Sequence, residues 1–116
     1  MASAPRPIVL GLFIRDYLLT RGEAYPYEVY RAYKEAAAAA GRRPRTSWQN
    51  VVNYFFWLSR LGLIEPSRTE PSSNPDLKMP RRYYRLTRKG LATPPTALEW
   101  VNPRRALYGE SYERCH

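Results

Sequence analysis

The sequence predicts a mainly helical α+β domain in which three helices are followed by a two-stranded β-hairpin and an irregular C-terminal extension. Three observations lead to this prediction. Apolar residues recur at helical spacing in three segments that end at glycine, a strand pattern follows the third, and prolines interrupt the chain after residue 91. With 116 residues, the chain is long enough for one domain with a modest core. We expect a loose arm over residues 1–7, the domain over 8–91 and a Pro-containing extension over 92–116.

The first two helices are predicted from their apolar ladders and from proline and glycine at their ends. The first runs from Ile8 to the Thr20–Gly22 region, where glycine favours a left-handed C-cap. The second begins at Pro26, whose missing N–H would be unpaired there in any case, and ends at Gly41. Residues expected to pack inward are Ile8, Val9, Leu12, Phe13, Tyr17 and Leu19 in the first helix and Val29, Tyr30, Tyr33 and Ala37 in the second.

The third helix, over residues 47–61, combines an apolar stripe with polar residues outside it. Thr46 is the predicted N-cap, and Gln49 three residues later completes a capping box. Val51, Phe55 and Leu58 form the stripe that must be buried. Taken alone, amides beside such a stripe suit an ordinary solvated face as well as a recognition surface. The amides in question belong to Gln49, Asn50 and Asn53.

A β-hairpin is predicted directly after this helix. Its first strand starts at Leu63–Glu65, and Pro66 is expected to limit that strand at a sheet edge. Prolines and serines within residues 68–80 predict a long loop, and the RRYYRL segment at residues 81–86 predicts the returning strand. A helix, a short basic turn, a capped helix and a hairpin together have the order of a helix-turn-helix with a wing.

Positive charge is concentrated in the same region. The chain has 19 Lys and Arg against 10 Asp and Glu, a net charge of +9, and 16 of the 19 are arginine. Eleven basic and three acidic residues lie between residues 42 and 89. The arginine fork suits phosphates and guanine edges, so a polyanionic partner, most simply nucleic acid, is the natural inference. A basic surface kept for solubility is the alternative.

The sequence gives little support for catalysis, metal binding or membrane insertion. Cys115 and His116, the single cysteine and the single histidine, are adjacent near the C-terminus, so neither a disulfide nor a closed metal site is expected. There is no Gly-rich phosphate loop, and no apolar run approaches the roughly 20 residues that span a bilayer. We therefore expect a cytoplasmic protein that is not an enzyme and that uses no cofactor, metal or evident small-molecule ligand.

Four segments carry a resemblance to a known family. They are IVLGL at residues 8–12, YPYEVY at 25–30, TSWQNVVNYFFWLSRLGLIE at 46–65 and RRYYRLTRKG at 81–90. Together they resemble winged helix-turn-helix transcriptional regulators of the PadR type, whose scaffold MarR and ArsR proteins share. The LGLIE and YYRLTxKG endings are the most specific parts. The resemblance covers about residues 8–91 and implies a DNA-binding domain with helix 47–61 in the major groove and the basic wing 66–82 on the backbone or minor groove.

The resemblance also implies residue roles and partners. The partners are double-stranded DNA and a second copy of the chain. Members of this family usually continue into a long C-terminal helix that pairs two subunits, whereas the prolines at 94 and 95 stop a helix here. The first helix and the Trp100 segment are expected to replace it, and Pro103 is expected to end that segment. The base-reading residues are Ser47, Gln49, Asn50 and Asn53, and the DNA-backbone residues are Arg42, Arg43, Arg45, Thr46, Arg68, Lys78, Arg81 and Arg82.

Some assignments remain open at this level. Trp48 either covers the start of the third helix or contacts DNA, and Trp57 belongs to the core or to a dimer interface. The alternative function is a winged-helix module that docks on a protein or an RNA within a replication, segregation or transcription assembly. The aromatic residues Tyr54, Tyr83 and Trp100, expected to be exposed, would serve that contact.

Overall fold

The computed structural model describes residues 8–44, 46–71 and 80–114 of the chain, with side chains up to residue 109. The predicted arm over residues 1–7, Arg45, most of the predicted wing loop and the Cys115–His116 pair lie outside the described residues. Within them the chain forms helices at both ends and an antiparallel hairpin between. The elements are α1 (Leu10–Arg21), α2 (Pro26–Ala39), α3 (Trp48–Arg60), β1 (Ile64–Glu70), β2 (Arg81–Leu86), α4 (Arg88–Ala92), α5 (Leu98–Val101) and α6 (Pro103–Arg114).

Helices α1 and α2 form where they were predicted, although the buried face of α1 differs. The stripe of α1 runs through Leu10, Ile14 and Leu18 at four-residue steps, and all three are buried. Leu19 and Val9, both expected to pack inward, are 44% and 38% exposed, because each follows or precedes a stripe residue and so points about 100° away from it. Gly22 ends α1 with a φ of 85°, a conformation that glycine adopts at little steric cost. In α2, residues Val29, Tyr33 and Ala37 are buried as predicted.

Helix α3 is anchored by the predicted stripe and capped one residue later than predicted. Val51, Phe55 and Leu58 are buried. The N-cap is Ser47, whose Oγ accepts from the backbone N–H of Asn50 at 3.2 Å. The prediction of Thr46 as N-cap was therefore wrong, because the hydroxyl that reaches a free N–H of the first turn belongs to its neighbour.

The hairpin pairs β1 with β2 in antiparallel register, and β1 continues through Pro66. The prediction that Pro66 limits the strand was wrong, and the pairing explains why. Pro66 lies opposite Tyr84, whose backbone N–H and C=O both bond to Ala24 on the other side of β2, at 2.8 and 3.1 Å. The nitrogen of Pro66 is thus at a position where the ladder needs no donor. A register shift follows between Pro66 and Arg68.

The two most specific sequence segments meet at the end of α3. The backbone N–H of Thr87 donates to the Leu63 carbonyl at 3.0 Å, and the Thr87 hydroxyl donates to the Gly62 carbonyl. Nζ of Lys89 donates to the Leu61 carbonyl at 2.8 Å and so caps α3. A Cβ on Gly90 would overlap the Leu63 carbonyl oxygen. The two segments therefore occur together because each fits against the other.

The C-terminal extension is more helical than predicted. Trp100 of α5 is 0% exposed and belongs to the main core, and its indole N–H donates to the Thr93 carbonyl at 3.2 Å. The backbone of Trp100 lies so close to Gly11 of α1 that a Cβ at Gly11 would overlap its carbonyl oxygen. Helix α5 ends at Val101, before Pro103, as predicted. Pro103 also begins α6, which was not predicted: the Asn102 side chain accepts from a first-turn N–H, that of Arg105, at 3.1 Å.

Candidate nucleic-acid interface

Opposite its buried stripe, α3 presents a row of four side chains, here called the outward row. Gln49, Asn53, Phe56 and Arg60 follow one another at steps of three or four residues, so they share one face of the helix. Gln49, Phe56 and Arg60 are exposed and Asn53 is half-buried. Nε2 of Gln49 donates to Oδ1 of Asn53 at 3.1 Å. This hydrogen bond fixes the two amides relative to each other and leaves the Gln49 oxygen, the second Gln49 N–H and the Asn53 amino group for other partners.

Two flanks border the outward row. On one flank, Trp48 packs its ring against Tyr27 and Tyr30 of α2, with ring centroids 5.4 and 5.8 Å apart. On the other flank, Trp57 contacts Tyr54 at 5.5 Å and lies 5.8 Å from the guanidinium of Arg104 in α6. Trp48 therefore covers the start of α3 while staying 41% exposed, and Trp57 lies beside α6. The row between the flanks remains open.

The other two predicted base-reading residues are placed differently. Ser47 is exposed, but its oxygen already caps the helix. Asn50 is half-buried and precedes Tyr54 and Trp57 by four and seven residues, so it lies on the α6 flank rather than in the outward row. Of the four residues, Gln49 and Asn53 are the two that the helix brings together.

The turn before α3 brings arginines to the start of the helix. Arg43 is exposed and Arg42 is half-buried. Nε of Arg42 is buried without a hydrogen-bond partner among the described residues. Arg42, Arg43 and Thr46 line an open groove of about 550 Å³ whose apolar floor includes Ile8 and Tyr33. Arg45, the third arginine predicted here, lies outside the described residues.

Arg68 of the hairpin is engaged within the protein. Its guanidinium donates to Glu23 at 2.8 Å and to Glu70 at 2.9 Å, and it lies 3.9 Å from the centre of the Tyr83 ring. These hydrogen bonds from Arg68, together with one from Ser67, hold the pKa of Glu23 below its usual range. Bonds from Arg68 and Tyr83 lower the pKa of Glu70 in the same way. Two carboxylates thus neutralise the charge that was expected to meet a phosphate.

Arg81 and Arg82 are more accessible to a phosphate than Arg68 is. Both are exposed at the start of β2, where they pair with Glu70 and Thr69 in the strand register. The guanidinium of Arg81 lies 5.0 Å from the centre of the Tyr25 ring, and Arg82 forms no ion pair with any residue the structure places. Lys78 lies outside the described residues.

The aromatic residues expected to serve a protein or RNA contact are largely inside the molecule. Trp100 is fully buried, Tyr83 is 9% exposed and packs against Tyr25 at 5.3 Å, and Tyr54 is half-buried, which raises the pKa of its hydroxyl. The exposed aromatic that the sequence reasoning missed on α3 is Phe56. Its spacing of three residues from Asn53 was the signal that would have found it.

The described part of the chain holds no group of three His, Cys, Asp or Glu side chains suited to a metal ion. Among the helices that the structure describes, none combines the length and the apolar character that a membrane crossing requires.

Comparison with known proteins identifies a solved structure with a similar fold. No protein-family model matches the sequence, and no curated protein matches it either. Among solved structures, the chain is similar to a PadR-like transcriptional regulator from Bacillus cereus strain ATCC 14579, at 21% identity and a TM-score of 0.55, over 92% of this chain and 90% of that one. The resemblance predicted from the sequence is thereby confirmed at the level of the fold. The chain is an α+β winged helix with the same overall fold as this PadR-like regulator.

Proposed function

We propose that the chain is a sequence-specific double-stranded DNA-binding protein that regulates transcription, with α3 in the major groove and the hairpin on the backbone or minor groove. The observation that carries this proposal is the open outward row of α3, with two amides near its start and arginines ahead of it. The fold likeness supports the proposal, since the similar solved structure is described as a transcriptional regulator. The net charge of +9 suits a polyanionic partner.

Sequence reading is assigned first to Gln49 and Asn53. An amide side chain can pair in bidentate fashion with N6 and N7 of adenine, which the major groove displays. Ser47 and Asn50 are assigned supporting positions, because one caps the helix and the other lies on its flank. A bidentate amide contact discriminates against the wrong base by about 1–3 kcal/mol.

Phosphate contacts are assigned to residues that precede α3 and to basic residues of the wing. Such contacts orient the protein without specifying sequence. Arg68 is assigned a different role, in which it holds the hairpin to Glu23. The residues proposed at the backbone are Arg42, Arg43, Arg45 and Thr46 before α3 and Lys78, Arg81 and Arg82 in the wing.

A homodimer is proposed because two copies would let α3 reach two half-sites of a palindromic operator. Trp100 is buried within its own chain and is unavailable to a partner. The exposed residues Leu98 and Val101 of α5, together with Val9 and Leu19 near the two ends of α1, are the apolar side chains proposed for the contact. Sedimentation at micromolar concentration that finds only monomer would exclude this arrangement.

The proposal is tested by selecting bound sequences from random duplex DNA and measuring affinity by gel shift across a salt series. Affinity should fall steeply with salt, and each phosphate contact removed should reduce the slope by about 0.9. Replacing Arg81 and Arg82 by alanine should weaken all sequences alike. Gln49→Ala and Asn53→Ala should instead flatten the preference among sequences. Binding that responds to neither pair would exclude α3 and the wing as the DNA-binding surface.

The second candidate, a winged-helix module that docks on a protein or an RNA, keeps one supporting observation. Tyr27 and Trp48 are both large, exposed and in ring contact at the start of α2 and α3. Aromatic side chains of this kind are enriched at protein interfaces. Absence of any duplex preference in the selection, together with tight binding to structured RNA, would favour this candidate.

A further inference from the structure

Phe56 is the described aromatic side chain with the largest exposed fraction, 54%. Its neighbour Phe55 is 2% exposed and packs edge-on against Tyr84, with ring centroids 5.3 Å apart. Consecutive residues of a helix point about 100° apart, so one phenylalanine anchors α3 to the core while the next projects away from it. A single exposed apolar residue is ordinary on a protein surface. The position of Phe56 is what makes it informative.

Phe56 lies within the outward row, three residues after Asn53 and four before Arg60. Three residues of helix advance about 4.5 Å along the axis, which is close to the 3.4 Å step between neighbouring base pairs. The aromatic cluster on the α2 flank centres on Trp48, and the α6 contact on the other flank is made by Trp57. Phe56 therefore shares the open face of the two amides and lies about one base-pair step from Asn53.

The major groove presents one apolar group along its edges, the 5-methyl group of thymine. We infer that Phe56 is a specificity-determining residue that contacts this methyl group on a thymine next to the base read by Asn53. This inference rests on the proposed function and names the sequence class: a site in which a thymine adjoins an adenine. The surrounding amides and Arg60 favour a polyanionic duplex over an apolar protein partner on this face.

The test uses the full chain and the duplex selected from random DNA. Each thymine of that duplex is replaced in turn by deoxyuridine, which lacks only the 5-methyl group, and the Kd is measured for the natural protein and for Phe56→Ala. The natural protein should lose about fourfold in affinity at one thymine, the value expected for one buried methyl group. Phe56→Ala should bind the thymine and deoxyuridine forms of that position equally.

Leu91→Ala is the matched control, because Leu91 is 55% exposed on α4 and lies outside the outward row. It should retain the thymine dependence of the natural protein. Thermal unfolding of Phe56→Ala should match that of the natural protein, since the side chain is exposed and makes none of the core contacts.

The outcomes separate this inference from the proposed function. A preferred duplex whose deoxyuridine profile is the same for both proteins overturns the role of Phe56 and leaves DNA reading by α3 intact. A Phe56→Ala protein that loses only single-stranded binding, or only its dimeric state, also overturns it. A selection that yields no preferred duplex removes the proposed function, and the inference with it.

Discussion

The outer part of the hairpin and helix α5 are attached to the same three-helix core by opposite means. The inner end of the hairpin packs into the core through Ile64 and Tyr84. Its outer part is held at the surface, where Arg68 of β1 forms an ion pair with Glu23. Helix α5 is held by Trp100, which is fully buried, and by a backbone approach that only a glycine at position 11 permits. Exposed ion pairs contribute little to stability, whereas large buried aromatic residues contribute much.

This difference in attachment makes α5 the more rigid element and the outer hairpin the more mobile one. The α5 attachment depends on packing, so salt and pH should hardly affect it. The attachment of the outer hairpin depends on an exposed ion pair, so a high salt concentration should weaken it. In the proposed function, α5 therefore belongs to the rigid support of α3, and the wing is the part that adapts to the DNA.

The largest expected effect is that of Trp100→Ala. Removing a fully buried tryptophan should lower the free energy of unfolding by about 3–5 kcal/mol, because the cavity cannot collapse completely. Urea denaturation followed by circular dichroism measures this loss. Trp48→Ala, which truncates a partly exposed tryptophan, is the control and should cost clearly less. Equal losses in the two variants would contradict the fixed attachment of α5.

Gly11→Ala should have the next largest effect. The added Cβ would overlap the carbonyl oxygen of Trp100, so α5 must move away from α1. Overpacking of this kind costs about 1–3 kcal/mol, and the same denaturation experiment measures it. In a Trp100→Ala background the cost should shrink, since α5 is then free to shift. Full additivity of the two substitutions would show that they act at independent places.

Arg68→Ala should loosen the hairpin while leaving the core nearly unchanged. Glu23 and Glu70 lose their common partner, and Tyr83 loses the guanidinium over its ring. Amide hydrogen exchange in β1 and β2 should accelerate, whereas the unfolding midpoint should move less than for Gly11→Ala. Arg68→Lys keeps the charge but not the two-pronged geometry, and should fall between the natural protein and Arg68→Ala. A large drop in the midpoint would place Arg68 among the core-stabilising residues.

The smallest expected effect is a pH dependence of the same attachment. The folded pKa values of Glu23 and Glu70 lie below the ordinary glutamate value of about 4.3. The stabilisation is therefore complete above that value and is lost as the pH falls through the lowered folded pKa values. Hydrogen exchange in the hairpin, corrected for its intrinsic pH dependence, should rise over that range in the natural protein. It should change less in Arg68→Ala, and an equal rise in both proteins would exclude this ion-pair cluster as the cause.

Elements that depend on local sequence signals were predicted correctly, whereas features that depend on particular tertiary or capping contacts were not. Local signals were sufficient for α2, which starts at Pro26, and for β2, whose bounds match the RRYYRL segment. Local signals did not predict that Pro66 lies within a strand or that Pro103 begins a helix. Pro66 is accommodated within a strand because Ala24, far away in the sequence, takes the hydrogen bonds of Tyr84. Pro103 starts a helix because Asn102 caps it.

The candidate site shows the same limit. Helical spacing was enough to place Gln49 and Asn53 on one exposed face, and the same spacing would have included Phe56. The hydrogen bond between Arg68 and Glu23 joins residues 45 positions apart, so no local sequence pattern predicts it. Counting arginines therefore predicts the charge of a surface, whereas the contacts of each arginine decide which ones are available to a phosphate.

The junction between the end of α3 and the segment Thr87–Gly90 has a consequence for how such a protein can diversify. Both strands of the hairpin are fastened to this junction at their ends nearest the core, where Ile64 pairs with Leu86. The direction in which the strands leave α3 is therefore set at this junction. In the proposed function, sequence changes at the outer ends of β1 and β2, near Glu70 and Arg81, would leave the presentation of α3 unchanged.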